Sequence, residues 1–130
     1  MAEMLVPVSP GEVIDKLTIL RIKAARIGDA AKLANVRREL ELLERTWAAS
    51  PYAGRDVRAD TEALEAVNAR LWDVEDRIRE RERAGRFDAE FIELARAVYI
   101  ENDARAAIKK RLNLALGSAI VEEKSYSAYR

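Results

Sequence analysis

The longest helical pattern in the chain is polar where it should be most apolar. Between residues 89 and 116, Phe91, Ala95, Val98, Leu112 and Leu116 recur on one helix face, at about 100° per residue, and Asn102, Arg105, Lys109 and Asn113 fall inside the same stripe. Arg105 and Lys109 stand one helical turn apart, with Asn102 and Asn113 on either side of them. Charges buried without partners in such a stripe cost on the order of several kcal/mol per ion. The fold must therefore bring carboxylates, water or an anionic ligand to this helix. Asp15, Glu75 and Asp103 are the internal candidates, and Asn68 can bridge between such groups.

The remaining pattern also reads as helix. Ser9-Pro10-Gly11-Glu12 opens a helix over residues 10–27: Ser9 is placed to cap it, Pro10 to occupy the first helical position and Glu12 to complete a capping box. Its main stripe is Val13, Leu17, Leu20, Ala24 and Ile27, but Ile19 and Ile22 lie on the far side beside Asp15 and Arg26. A helix apolar on two sides is either central or covered by another segment. Gly28-Asp29 is a stop followed by a cap, so a tight antiparallel hairpin leads into a helix over 30–48 through Leu33, Val36, Leu40, Leu43 and Trp47.

Ser50-Pro51-Tyr52-Ala53-Gly54 then breaks the pattern, and the spacing predicts a loop to about Asp60, the one connection long enough to act as a flap. A helix over 61–84, capped by Asp60 or Thr61, carries Leu64, Val67, Leu71, Val74 and Ile78, with Asn68, Trp72, Glu75 and Arg79 as a second row. Gly85-Arg86-Phe87 turns the chain, Asp88 caps the helix over 89–116, and Gly117 ends it. Met4–Val8, interrupted by Pro7, reads as an extended lead-in with edge-strand character. Residues 118–130 lack helical periodicity; Ile120, Val121, Tyr126 and Tyr129 mark them as a docked arm expected to cover the outer side of the first helix. The expectation is an all-α, antiparallel four-helix bundle with an extended lead-in and a C-terminal arm, forming one helical domain over residues 1–130.

Composition narrows the chemistry. There is no Cys and no His, which removes disulfides, thiolate or imidazole metal sites, and Ser-His-Asp or Cys-His catalysis. The di-metal site of helical bundles needs Glu-x-x-His pairs and cannot be built, so neither a metal nor a cofactor is expected. Basic and acidic residues balance at 23 each and are interleaved, which argues against nucleic acid and membrane surfaces as partners. The N-terminus has no basic cluster and too short an apolar run for a signal or a span, so a soluble cytoplasmic chain is expected.

The candidate site therefore centres on Asn102, Arg105, Lys109 and Asn113, flanked on the same helix by Tyr99 and Asp103. Its other walls are the Asn68, Trp72 and Glu75 row and the Asp15, Lys16 and Lys23 edge of the first helix. Two readings stay open. One is an internal salt-bridge network that fixes helix register; the other is a site between helices that binds a small anionic ligand or a protein partner's acidic group. Apolar positions left over at Ile19, Ile22, Leu42, Ile100 and Leu114 leave room for a homodimer.

Several segments carry a resemblance. Ser9-Pro10-Gly11-Glu12 with Ile14-Asp15-Lys16-Leu17-Thr18-Ile19-Leu20, then Val67-Asn68, Leu71-Trp72 and Glu75-Asp76, then Val98-Tyr99, Asn102-Asp103, Arg105 and Lys109, and finally Glu122-Glu123-Lys124-Ser125-Tyr126, together resemble a bacterial family of small helical proteins of unknown function. That resemblance spans nearly the whole chain and implies a helical fold and a setting among surface-polysaccharide and glycosyltransferase genes. It also marks the polar positions that the helical spacing singles out. A narrower similarity, of Gly85–Ile92 leading into Glu101-Asn102-Asp103, is to the all-helical chorismate mutases. It implies electrostatic positioning of a dicarboxylate by Arg21, Lys23, Arg105 and Lys109, although Gly28-Asp29 breaks the long first helix those enzymes use. A non-enzymatic binding or accessory module is the first expectation, a small His-free enzyme of this type the second, and a purely structural partner protein the third.

Overall fold

The computed structural model describes residues 2–130. Helices α1 (Pro10–Arg26), α2 (Ala30–Ala48), α3 (Arg58–Ala84) and α4 (Ala89–Ala115) follow one another, and no strand occurs among the described residues. Three of the helix starts follow the side-chain chemistry of the sequence. Ser9 Oγ accepts from the Glu12 N–H, Asp29 from the Lys32 N–H and Asp88 from the Phe91 N–H. Gly85 and Gly117 take the left-handed conformation, with φ of 66° and 68°, that lets the chain leave α3 and α4.

α3 begins earlier than its sequence suggests. Val57, not Asp60 or Thr61, is its N-cap and offers no side-chain bond. Asp60 is drawn to Arg111, and the Thr61 hydroxyl donates to the Val57 carbonyl, so both act inside the helix. The preceding connection is a series of tight turns, with Ser50 N–H to Trp47 O, Ala53 N–H to Ser50 O and Arg55 N–H to Tyr52 O. Tyr52 stacks on Trp47, and Arg55 Nη2 reaches the Ala115 carbonyl. These contacts tie the segment down against the ends of α2 and α4.

α1 is central. Its buried residues, from Leu20 through Val13, Leu17, Ile14 and Thr18 to Gly11, Ile22 and Asp15, sweep about 220° of its circumference at 100° per residue. That resolves its two-sided apolar pattern: α2 lies against α1 alone, whereas α1, α3 and α4 all touch one another. The shared core joins Ile14 to Leu64 and Val67 of α3 and Ile108 and Leu112 of α4, with Trp47 and Leu71 packed at its edge. α4 presents Leu94, Ile108 and Leu112 as its most buried apolar side chains, while Phe91, Ala95 and Val98 are only half-buried. The buried aliphatic face is turned by about 60° from the stripe read in the sequence. The reason is that α4 serves two neighbours. Its aliphatic row meets α3, and its polar row meets α1.

Two expectations for the termini are corrected. Residues 4–8 form no edge strand; Met4, Leu5, Val6 and Val8 are exposed. The C-terminal arm does not cover α1. It runs back along α4, through Ser118 N–H to Asn113 O, Lys110 to Glu123, Lys124 to Asp103 and the edge-on rings of Tyr99 and Tyr129. Charge pairing along α4 decides its course, which apolar periodicity does not report.

α1 and α4 approach closely at Gly11. A Cβ there would stand 2.7 Å from Asn113 Oδ1 and 2.7 Å from the Lys109 carbonyl, and the Gly11 N–H donates to Asn113 Oδ1 at 2.8 Å. A backbone oxygen cannot swing aside as a side chain does, so the helices themselves would have to part. Gly11→Ala is therefore expected to destabilise the fold by about 1–3 kcal/mol in urea denaturation. A change below about 0.5 kcal/mol, the range of a neutral surface substitution, would show that this contact does not set the helix separation.

Candidate functional site

Among the described residues the most deeply buried charged group is Asp15, whose side chain is 0% exposed. Its Oδ1 accepts from Asn68 Nδ2 and from Arg105 Nε, each at 2.9 Å, and its Oδ2 accepts from Arg105 Nη2. Asn68 Nδ2 donates its second hydrogen to Thr18 Oγ1 at 2.9 Å, while the Thr18 hydroxyl donates to the Asp15 carbonyl at 2.8 Å. A fork of two guanidinium N–H groups on one carboxylate is the strong form of this pairing. It also pushes the Arg105 pKa above its ordinary value, chiefly through the hydrogen bonds to Asp15. Three helices contribute, α1 through Asp15 and Thr18, α3 through Asn68 and α4 through Arg105. The alternation of sequence pattern explains how: Asp15 and Thr18 lie one turn apart on α1, toward the side opposite Leu20.

Above this layer sits Lys109. Its ammonium is 2.5 Å from Glu12 Oε2, 3.5 Å from Glu122 Oε2 and 4.0 Å from Asp15 Oδ2, and its side chain is 13% exposed. Glu12 thus supplies its carboxylate to Lys109 instead of turning back to the Ser9 N–H as a capping box requires. Ser9 Oγ, besides capping α1, reaches Glu122 Oε1 at 3.3 Å. An open cleft of about 1240 Å³ lies between α4 and the arm, lined by Arg105, Lys109, Lys110 and Asn113 on the helix and by Glu122, Glu123 and Lys124 on the arm. Tyr99, Asn102, Asp103, Tyr126 and Tyr129 line it further along.

The residues singled out in the sequence divide into groups. Asp15, Asn68, Arg105 and Lys109 come together, and Asn113 joins them through Gly11. Asn113 Nδ2 is buried without a hydrogen-bond partner. Asn102 Nδ2 donates to the Val98 carbonyl of its own helix, and with Tyr99 and Asp103 it faces the cleft. The other residues lie elsewhere. Lys16 is exposed, and the Lys23 carbonyl takes the Ile27 N–H that ends α1. Trp72 lies under the Arg26 guanidinium, 5.9 Å from the ring centre, and Glu75 pairs with Arg79 one turn along α3. Sequence reasoning missed Glu12, Thr18 and Glu122 as members. Thr18 had a readable signal, since it follows Asp15 by one turn; Glu122 lies in a segment that carries the family resemblance, but its placement depends on the arm's course, which no helical spacing reports.

A family model described as a family of unknown function, DUF6165, matches residues 4–129. The chain belongs to that family. No curated protein and no solved structure matches it. The match takes in the whole of α1, α3 and α4 and nearly all of the arm, so every member of the polar cluster and the cleft except Arg130 lies within it. None of the described helices is long and apolar enough to cross a membrane.

The arm's attachment has its own electrostatics. Lys124, reinforced by the Tyr129 hydroxyl, holds the Asp103 carboxyl below the ordinary carboxylate range. A group whose folded value is depressed stabilises the docked state above its free value and loses that contribution as pH falls through the folded one. Arm docking is therefore expected to survive as pH passes the ordinary carboxylate value of about 3.9 and to fail below it. The Tyr99 and Tyr129 ring resonances report this in an NMR pH titration, with Asp103→Asn loosening the arm already at neutral pH. Detachment above that value in the native chain would contradict the pairing.

Proposed function

We propose that the protein is a non-enzymatic binding module whose cleft between α4 and the C-terminal arm takes an anionic ligand or the acidic group of a partner. One observation carries the reading: Lys109 stands at the cleft floor, held in place from beneath by Glu12 and Asp15, while its outer side meets only the arm. Arg105 is committed to Asp15 and keeps its side chain 30% exposed toward the same cleft, so it adds field without being free to leave. A cation already held by carboxylates beneath it, and faced on its outer side only by the arm, is preorganised for an anion, because its ordering cost is met before binding.

The internal salt-bridge reading describes the layer below. Asp15, Asn68, Thr18 and Arg105 satisfy one another and hold the register of α1, α3 and α4. Of the four cations that the chorismate-mutase resemblance implies, Arg105 and Lys109 line the cleft and Arg21 and Lys23 do not, so the binding reading is the one favoured. The setting implied by the family resemblance, surface-polysaccharide assembly, is rich in acidic sugars, and glucuronate is a suitable probe alongside phosphate and citrate.

In amide NMR titrations of the full chain, at least one of these anions is expected to shift Ser9, Gly11, Lys109 and Asn113 selectively. Lys109→Gln should weaken that binding about tenfold or more, a loss of about 1.4 kcal/mol, with the helical content unchanged. Arg105 is left intact in this test because removing it would strand Asp15. Shifts scattered over the surface, or equal affinity in Lys109→Gln, would contradict the reading.

A further inference from the structure

We infer that the cleft is a site for an acidic, extended peptide segment, and that the C-terminal arm is its tethered competitor, with the Glu122 carboxylate standing where the partner's carboxylate would sit. This rests on the cleft reading above and names its ligand. Glu122 lies at the N-terminus of α1, with one oxygen 3.3 Å from Ser9 Oγ and the other 3.5 Å from Lys109 Nζ. A helix N-terminus favours a carboxylate there. The second observation is Asn113. It is 1% exposed, lines the same cleft, spends its oxygen on the Gly11 N–H and leaves Nδ2 with no acceptor. A buried amide donor without a partner, on a residue lining the same cleft as a carboxylate held by two long contacts, marks a site whose present occupant fits it loosely.

Charge counting around Lys109 favours replacement over addition. Asp15, Glu12 and Glu122 face Arg105 and Lys109, three carboxylates against two cations. An additional anion would raise the imbalance, whereas one that replaces Glu122 leaves it unchanged. Glu122 is also the exchangeable member, 51% exposed, against 24% for Glu12 and 0% for Asp15. The arm around it is held mainly by the exposed pairs Lys110–Glu123 and Lys124–Asp103 and by the Tyr99–Tyr129 contact, and exposed pairs of this kind hold weakly.

The α4 face of the cleft, which remains when the arm leaves, favours a peptide over a lone anion. It runs from Asn113 to Val98 and offers Lys110 and then Asp103, so successive side chains of an extended segment find opposite charges. The arm itself demonstrates that match with Glu123 and Lys124. Because the arm is tethered, it competes at an effective concentration on the order of millimolar, which sets a threshold that a partner must exceed.

The test uses full-length chains and a fluorescein-labelled peptide copying residues 119–130, read by fluorescence anisotropy. Glu122→Ala combined with Lys124→Ala loosens the internal arm at exposed positions, and circular dichroism verifies the fold. This chain is expected to bind the peptide about tenfold more tightly than the native chain. A peptide carrying Glu122→Gln should bind the same chain about tenfold less tightly, and free N-acetylglutamate should displace the labelled peptide only at far higher concentration. Equal peptide affinity in the two chains, or equal affinity of the Gln peptide, overturns the inference. If N-acetylglutamate binds in a Lys109-dependent manner and the peptide does not, the peptide assignment fails while the anion cleft stands; if neither binds, both fail.

Discussion

A single carboxylate, Asp15, is removed from solvent altogether, and three helices are arranged around what that requires. Its two oxygens take hydrogen bonds from Arg105 and Asn68, and Asn68 is in turn held by Thr18. Removing one partner from such a pair leaves an uncompensated charge and costs about 3–5 kcal/mol, a large share of the stability of a domain this size. The apolar core could tolerate sliding by a fraction of a turn. The Asp15 carboxylate could not, because a guanidinium fork accepts one geometry. Register among α1, α3 and α4 is thus set by polar chemistry, and the aliphatic cluster of Ile14, Leu64, Val67, Ile108 and Leu112 fills the space that register defines.

The same constraint explains the close contact beneath the cleft. For Arg105 to reach Asp15 and Lys109 to reach Glu12, α4 must lie almost against the start of α1, and Gly11 is the position where a side chain would prevent this. Lys109 then finds two carboxylates below it and only Glu122 of the arm above. A structural ion pair and a binding surface are in this way two sides of one arrangement. Asp15 and Glu12 immobilise the cations, and the outer face of those cations lines the cleft against the arm.

Much of this was legible in the residues. The need of Arg105 and Lys109 for partners followed from their place in an apolar stripe, and Asp15 and Asn68 stood out as candidates. The caps at Ser9, Asp29 and Asp88 followed from local chemistry. Glu75 was equally eligible on a helical wheel, but a wheel does not say which side of α3 faces α4, and Arg79 one turn away takes it instead. Leu94 and Ile108 were missed because α4 shares its burial between α3 and α1, which blurs any single stripe. The role of Gly11 requires two backbones in view at once. The arm's path is written in isolated charge pairs many residues apart, and no periodicity announces it.

The central claim is that the Asp15–Arg105 pair couples α1 to α4 and that the rest of the cleft depends on it. A double-mutant cycle with Asp15→Asn and Arg105→Gln, measured by urea denaturation, tests this most directly. The account predicts a coupling of about 2 kcal/mol or more, with the double variant more stable than the sum of the single losses implies. Losses that add within about 0.5 kcal/mol would contradict it, and would mean that the apolar core alone holds the helices in register.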